Sequence, residues 1–181
     1  MPVIWARSAL FLQFVLVALL TSACSLLGIG FGKGTVVEPG PWVPGTAVLR
    51  FAVLGDAEPK PGPVFDQWSD AIDEINRLAS ELSVDFVASV GDITHKGKVE
   101  QYDAATAAIA RLSVPFYAIM GNEEYEGGVD RFLHYARMWN DEITSIRYAV
   151  QHSGVVFMFV TAEDGGEEFT DEGISWLRAQ I

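Results

Sequence analysis

Three times in this chain an apolar run opening on Phe stops at Gly followed by an oxygen-bearing side chain. The segments are Phe51-Ala52-Val53-Leu54-Gly55-Asp56, Phe86-Val87-Ala88-Ser89-Val90-Gly91-Asp92 and Phe116-Tyr117-Ala118-Ile119-Met120-Gly121-Asn122. Runs of this length predict strands buried on both faces. The Gly lets the chain turn sharply at the strand's C-terminal end, and the next side chain is then aimed into the crevice above the sheet. From Asp56 to Asp92 is 36 residues and from Asp92 to Asn122 is 30, room in each case for one strand-helix-strand unit. Two carboxylates and one amide therefore converge at neighbouring strand ends, which is how an open α/β sheet assembles a cation site.

The intervening segments carry helical periodicity. Val64 to Leu82 sets Phe65, Trp68, Ile72, Ile75, Leu78 and Leu82 on one face, with most of its charges opposite. Val99 to Leu112 repeats the pattern with Val99, Tyr102, Ala105, Ile109 and Leu112, and Val129 to Trp139 does so with Val129, Phe132, Leu133, Ala136 and Trp139. Strand and helix alternate through this stretch, which argues an α/β fold with parallel pairing. A hairpin follows, Ser145 to Val150 and Val155 to Thr161 around Gln151-His152-Ser153-Gly154. Thr170 then caps a last helix through Ile174, Leu177 and Ile181.

The N-terminus reads differently. Arg7 is the only charge before position 24, Ser8 to Leu20 is almost wholly apolar, and Thr21-Ser22-Ala23 offers small residues. Residues 1–23 are thus expected to be a signal peptide, the apolar run being short for a membrane span. Its removal leaves 158 residues carrying 11 Lys and Arg against 24 Asp and Glu, a net charge of −13. So acidic a chain has no electrostatic footprint for nucleic acid, and an anionic substrate must be drawn in by a bound cation. Cys24, the only cysteine, cannot form an intrachain disulfide. Residues 24–45 are Gly- and Pro-rich and read as a tether to a domain at 46–181. Lys33 does not make this stretch a phosphate loop, because Gly34 stands where Ser or Thr must follow the Lys.

Leu20-Thr21-Ser22-Ala23-Cys24 resembles the lipobox of bacterial lipoproteins, which implies lipidation of Cys24 and an exported, membrane-anchored protein; an ordinary secretory signal cleaved near Ala23 is the alternative. The ordered set Gly55-Asp56, Gly91-Asp92-Ile93-Thr94-His95-Lys96-Gly97 and Met120-Gly121-Asn122-Glu123-Glu124 resembles the calcineurin-like metallophosphoesterase superfamily. Its signature is Asp-x-His, Gly-Asp-x-x-x-x-Gly and Gly-Asn-His-Asp/Glu, followed by two later His-containing motifs. The resemblance implies an α/β sandwich of mixed sheets flanked by helices. It makes Asp56 a ligand of one metal, Asp92 the bridging carboxylate, and Asn122 a ligand of the second metal that also contacts substrate phosphate. Two divalent ions (Mn, Mg, Fe or Zn) would clamp a phosphomonoester or phosphodiester and bind a bridging hydroxide for in-line attack.

Glu58 stands where the family's first-motif His ligates metal, and an oxygen ligand there favours hard cations. Glu123 stands where the third-motif His protonates the leaving oxygen, a task a carboxyl performs only with a raised pKa. His95 lies in a loop beside the site, where a substrate contact is its functional reading. His134 and His152 read as structural, and Glu124, Glu126 and the Glu163 to Glu168 run as solvated acidic loops. The later His motifs have no counterpart here, so the sequence is expected to lack the C-terminal part of the usual domain. Two functions follow from this set: a metal-dependent phosphoesterase, or a non-catalytic exported domain that binds a cation or a partner.

Overall fold

In a computed structural model, the described residues are 49–60, 62, 65–163 and 168–181. The expected signal peptide, Cys24 and the tether lie outside them, as do Pro61, Pro63 and Val64. Among the described residues no helix is long and apolar enough to cross a membrane.

Strands β1 (Phe51–Leu54), β2 (Phe86–Ser89) and β3 (Phe116–Ala118) form a parallel sheet in that order, with Phe51 opposite Phe86 and Val87 opposite Phe116. Helix α1 (Asp66–Leu82) connects β1 to β2, and α2 (Val99–Ile109) connects β2 to β3. After β3 come a short α3 (Asn122–Gly127), α4 (Val129–Trp139), an antiparallel hairpin of β4 (Arg147–His152) and β5 (Val155–Val160), and α5 (Asp171–Ala179). The α/β class and parallel pairing expected from the sequence are therefore present.

Strand alternation distributes the aromatic residues between two layers. Phe116 faces the helices, its ring 6.1 Å from Trp68 and 5.8 Å from Trp139. Phe86 and Tyr117 face the hairpin, where they meet Phe157 at 4.9 Å and Phe159 at 5.5 Å. The hairpin is fastened by a side chain: the Tyr148 hydroxyl donates to Ala118 O at 2.8 Å and accepts from Ala118 N–H at 3.0 Å. Ala118 turns both groups away from β2, so Tyr148 satisfies backbone that no strand among the described residues pairs. Met120 N–H continues this seam to Thr161 Oγ at 3.1 Å.

Several expectations are corrected. β2 and β3 are fully buried and β1 is half-buried throughout; both β1 and β3 are edge strands among the described residues, but the outer edge of β3 is covered by Tyr148 and Thr161. Val99 is 48% exposed, because it opens α2 at the water boundary and Gln101 takes the inward place. The hairpin turn is Ser153-Gly154 alone, with φ of 50° and 79°, the pair of positive values that matches strand twist in a two-residue turn. His152 accordingly ends β4 and stacks on Phe86 at 4.6 Å. Helix α3, six residues long and too short to show a helical period in the sequence, builds one wall of the site.

Candidate functional site

The two Gly-Asp turns share the conformation of their Asp but not of their Gly. Asp56 and Asp92 both adopt left-handed φ, 52° and 51°, a conformation Asp tolerates because its short polar side chain bonds locally. At the end of β2, Gly91 has φ 98°, and a Cβ added there would lie 2.7 Å from Gly121 Cα. A Cβ on Gly121 would run into the Asp92 carboxylate. These two glycines let the β2 and β3 turns touch backbone to backbone, which brings Asp92 and Asn122 together.

Asp92 joins three loops. Its carbonyl accepts from Ala57 N–H and Glu58 N–H, both at 3.0 Å, which fixes the β1 turn. Its Oδ1 accepts from Glu123 N–H at 3.0 Å. With the amide nitrogen turned toward Asp92, Asn122 donates to Oδ2 at 3.1 Å, the orientation that satisfies the local network. The Asp92 N–H donates to Glu124 Oε2 at 2.9 Å, and the same oxygen accepts from Gly121 N–H at 2.9 Å. The other Glu124 oxygen accepts from Thr94 N–H at 2.6 Å and Thr94 Oγ at 3.0 Å. Glu124 is wholly buried. It is thus no solvated loop residue: its carboxylate staples the β2 turn to the β3 turn. The fourth position of Gly-Asn-His-Asp/Glu is the signal that could have found it. Glu163 is likewise held, by Arg147 at 2.7 Å and Thr170 Oγ at 2.7 Å.

Over this floor stands a second group. Glu58, His95 and Glu123 each offer a ligand atom, and the three atoms lie within 4.8 Å of one another. His95 Nδ1 is 2.8 Å from Glu123 Oε2, which also accepts from Lys96 N–H at 2.9 Å. Lys60 Nζ lies 2.5 Å from Glu58 Oε1 and 3.5 Å from Glu123 Oε1. Gln101, which sequence pattern gave no reason to single out, holds both sides: Nε2 donates to Pro59 O at 2.9 Å and Oε1 accepts from His95 N–H at 2.5 Å.

The site is electrostatically under-compensated. Burial pushes the Glu58 carboxyl above its ordinary value; Lys60 pulls it back and the Asp56 charge adds to the rise. Burial also raises Asp92, Glu123 N–H opposes this, and the charges of Asp56 and Glu123 reinforce it. Asp56 itself is exposed, yet its charge acts on both neighbours. Glu123 goes the other way. Burial would raise it, but Lys96 N–H, Lys60 and His95 together hold it below its ordinary value. A leaving-group acid needs the opposite shift.

A hard cation fits this donor set. Carboxylates and an amide converge, two of the carboxylates are raised by burial and by the neighbouring Asp56 charge, and a lysine ammonium already sits beside Glu58 and Glu123 as a stand-in cation. The structure thus brings Asp92 and Asn122 into contact and Glu58, His95 and Glu123 into one cluster, with Asp56 in the adjoining turn.

The family model described as calcineurin-like phosphoesterase matches residues 49–178. Among curated proteins, the glycerophosphodiester phosphodiesterase GpdQ of Enterobacter lignolyticus is 28% identical over 120 residues, 62% of this chain and 41% of that protein. The chain spans about two fifths of the length of this relative. The match covers every strand end that carries a site residue, and the chain belongs to the calcineurin-like phosphoesterase family.

Proposed function

We propose that this chain carries the centre of a metal-dependent phosphoesterase, hydrolysing a phosphomonoester or phosphodiester. The observation that carries the reading is the meeting of three strand-end turns on Asp92, with unbalanced carboxylates around it. Asp56, Asp92, Asn122 and Glu58 are the groups that would hold divalent cations. Such ions supply Lewis acidity toward phosphoryl oxygens and toward water, which carboxylates alone cannot.

The protein's own groups divide the remaining work. Glu124 and the two glycines fix the positions of Asp92 and Asn122 before substrate arrives, so little reorganisation is left for the reaction. Glu123, held ionised, engages His95 Nδ1 and orients the imidazole. Nε2 is then the ring nitrogen that would carry a proton to the leaving oxygen, replacing Glu123 in that role. The match to a glycerophosphodiester phosphodiesterase supports the phosphodiester branch.

Export belongs to the same proposal: residues 1–23 as signal, Cys24 lipidated, 24–45 as tether and a domain over 46–181, supported by the sequence pattern. Fatty-acid labelling lost in Cys24→Ala tests it. The competing non-catalytic reading draws on one observation: Val90, Met158 and Phe169 are exposed around an apolar hollow, a surface suited to a partner.

The deciding assay is hydrolysis of bis(4-nitrophenyl) phosphate and 4-nitrophenyl phosphate by the chelator-treated chain after addition of Mn²⁺, Mg²⁺, Zn²⁺ or Fe²⁺. Turnover that needs metal and disappears in Asp92→Ala supports the enzyme. Metal binding without turnover for any ion refutes it in favour of the non-catalytic domain.

A further inference from the structure

The ammonium of Lys60 is placed where its charge cannot coexist comfortably with a cation. Its Nζ is within 3.5 Å of one carboxylate oxygen each from Glu58 and Glu123. These are two of the three residues whose ligand atoms cluster with His95. A dication entering that cluster and a lysine ammonium already there repel at contact distance in a partly dehydrated space. The ammonium also has a way out. The Lys60 side chain is 53% exposed, whereas that of Glu58 is 4% exposed, so the buried partner stays and the exposed one can swing into water. The backbone beneath need not move, because Glu58 N–H is bonded to Asp92 O and Pro59 O to Gln101.

We propose that Lys60 is a resident counter-ion that competes with divalent cations for Glu58, and so sets the metal affinity of the site. The inference rests on the metal-centre reading above and adds a residue to it that no ligand role requires. In the metal-free protein Lys60 neutralises an otherwise uncompensated buried carboxylate. In the loaded protein it is displaced, and every binding event is weakened by the cost of displacing it.

The test is a Mn²⁺ titration of the chelator-treated full chain, with free Mn²⁺ read by electron paramagnetic resonance. Lys60→Met, which keeps length and removes charge, should tighten Mn²⁺ binding by about three- to tenfold, the range set by losing a half-exposed ion pair and its repulsion of the metal. Lys60→Arg should stay within about twofold of wild type, since it retains the charge. In a Glu58→Gln background the effect of Lys60→Met should shrink, which separates local competition from a general change in net charge. The Mn²⁺-induced rise in Tm should also be larger for Lys60→Met than for wild type. If Lys60→Met fails to fold, Lys60→Gln serves the same comparison. Unchanged or weaker binding in the neutral variants, with wild type binding normally, overturns the proposal for Lys60 alone. A wild-type chain that binds no Mn²⁺ overturns the metal-centre reading and this inference with it.

Discussion

Replacing Glu124 tests whether one buried carboxylate holds the site together. Its two oxygens accept four hydrogen bonds, three from the backbone N–H groups of Asp92, Thr94 and Gly121 and one from the Thr94 hydroxyl. Glu124→Gln can keep its oxygen on Asp92 and Gly121 and turn its NH2 toward Thr94, whose hydroxyl rotates to accept. That leaves the Thr94 N–H unpaired and buried, at about 1–3 kcal/mol. Part of this is offset, because Gln no longer buries a charge whose pKa burial has already raised. Glu124→Ala has no such escape. Three backbone donors lose their acceptor, and the summed loss of about 3–9 kcal/mol approaches the whole stability of a domain this size. Urea denaturation of the metal-free chain should therefore rank wild type, Gln and Ala in falling order. Tm should drop by roughly 3–10 °C for Glu124→Gln and further for Ala. A loss below about 1 kcal/mol in Glu124→Ala would show that the β2 and β3 turns hold their positions without the carboxylate, refuting the reasoning.

Two further outcomes follow from the same coordinates. Glu58 and Asp92 have pKa values raised above their ordinary 4.5 and 3.8 in the fold, so the folded metal-free chain binds more protons than the unfolded one just above those values, and their contribution to stability is lost as pH rises through that window. Glu123, lowered from 4.5, contributes the opposite slope, present above that value and lost as pH falls through its lowered one. Saturating Mn²⁺ should reverse the Glu58 and Asp92 slope, because metal displaces those protons; Tm against pH with and without metal checks both signs. Separately, Tyr148→Phe leaves Ala118 N–H and C=O without their partner at a buried position, and should cost about 1–3 kcal/mol in urea denaturation while leaving Mn²⁺ affinity unchanged.

The pattern that reveals the sheet also locates the site, because both depend on Gly and one oxygen-bearing residue ending each strand. Asp56, Asp92 and Asn122 were legible for that reason. Glu124 was not, since acidic residues after a strand more often face water, and only the contact of Gly91 with Gly121 creates the dry space that needs a buried carboxylate. Lys60 and Gln101 were hidden differently. Lys60 meets Glu123, and Gln101 meets Pro59, across long stretches of chain, and although Glu58 and His95 are close in sequence no local period marks these pairs. The direction of the Glu123 shift was hidden too, because a pKa depends on neighbours, here the Lys96 N–H, Lys60 and His95, that no spacing rule supplies. The strands of the hairpin are legible in their apolar runs, but the break Gln151-His152-Ser153-Gly154 overstates its turn by two residues: Gln151 and His152 continue the ladder opposite Val156 and Val155.

Crystals soaked in Mn²⁺ and measured at the manganese absorption edge would reveal where a cation settles. Anomalous density against the Asp92 carboxylate, in contact with side chains from both the 56 and 122 turns, is the result expected. Ordered manganese bound elsewhere on this acidic surface, with none at Asp92, would contradict it.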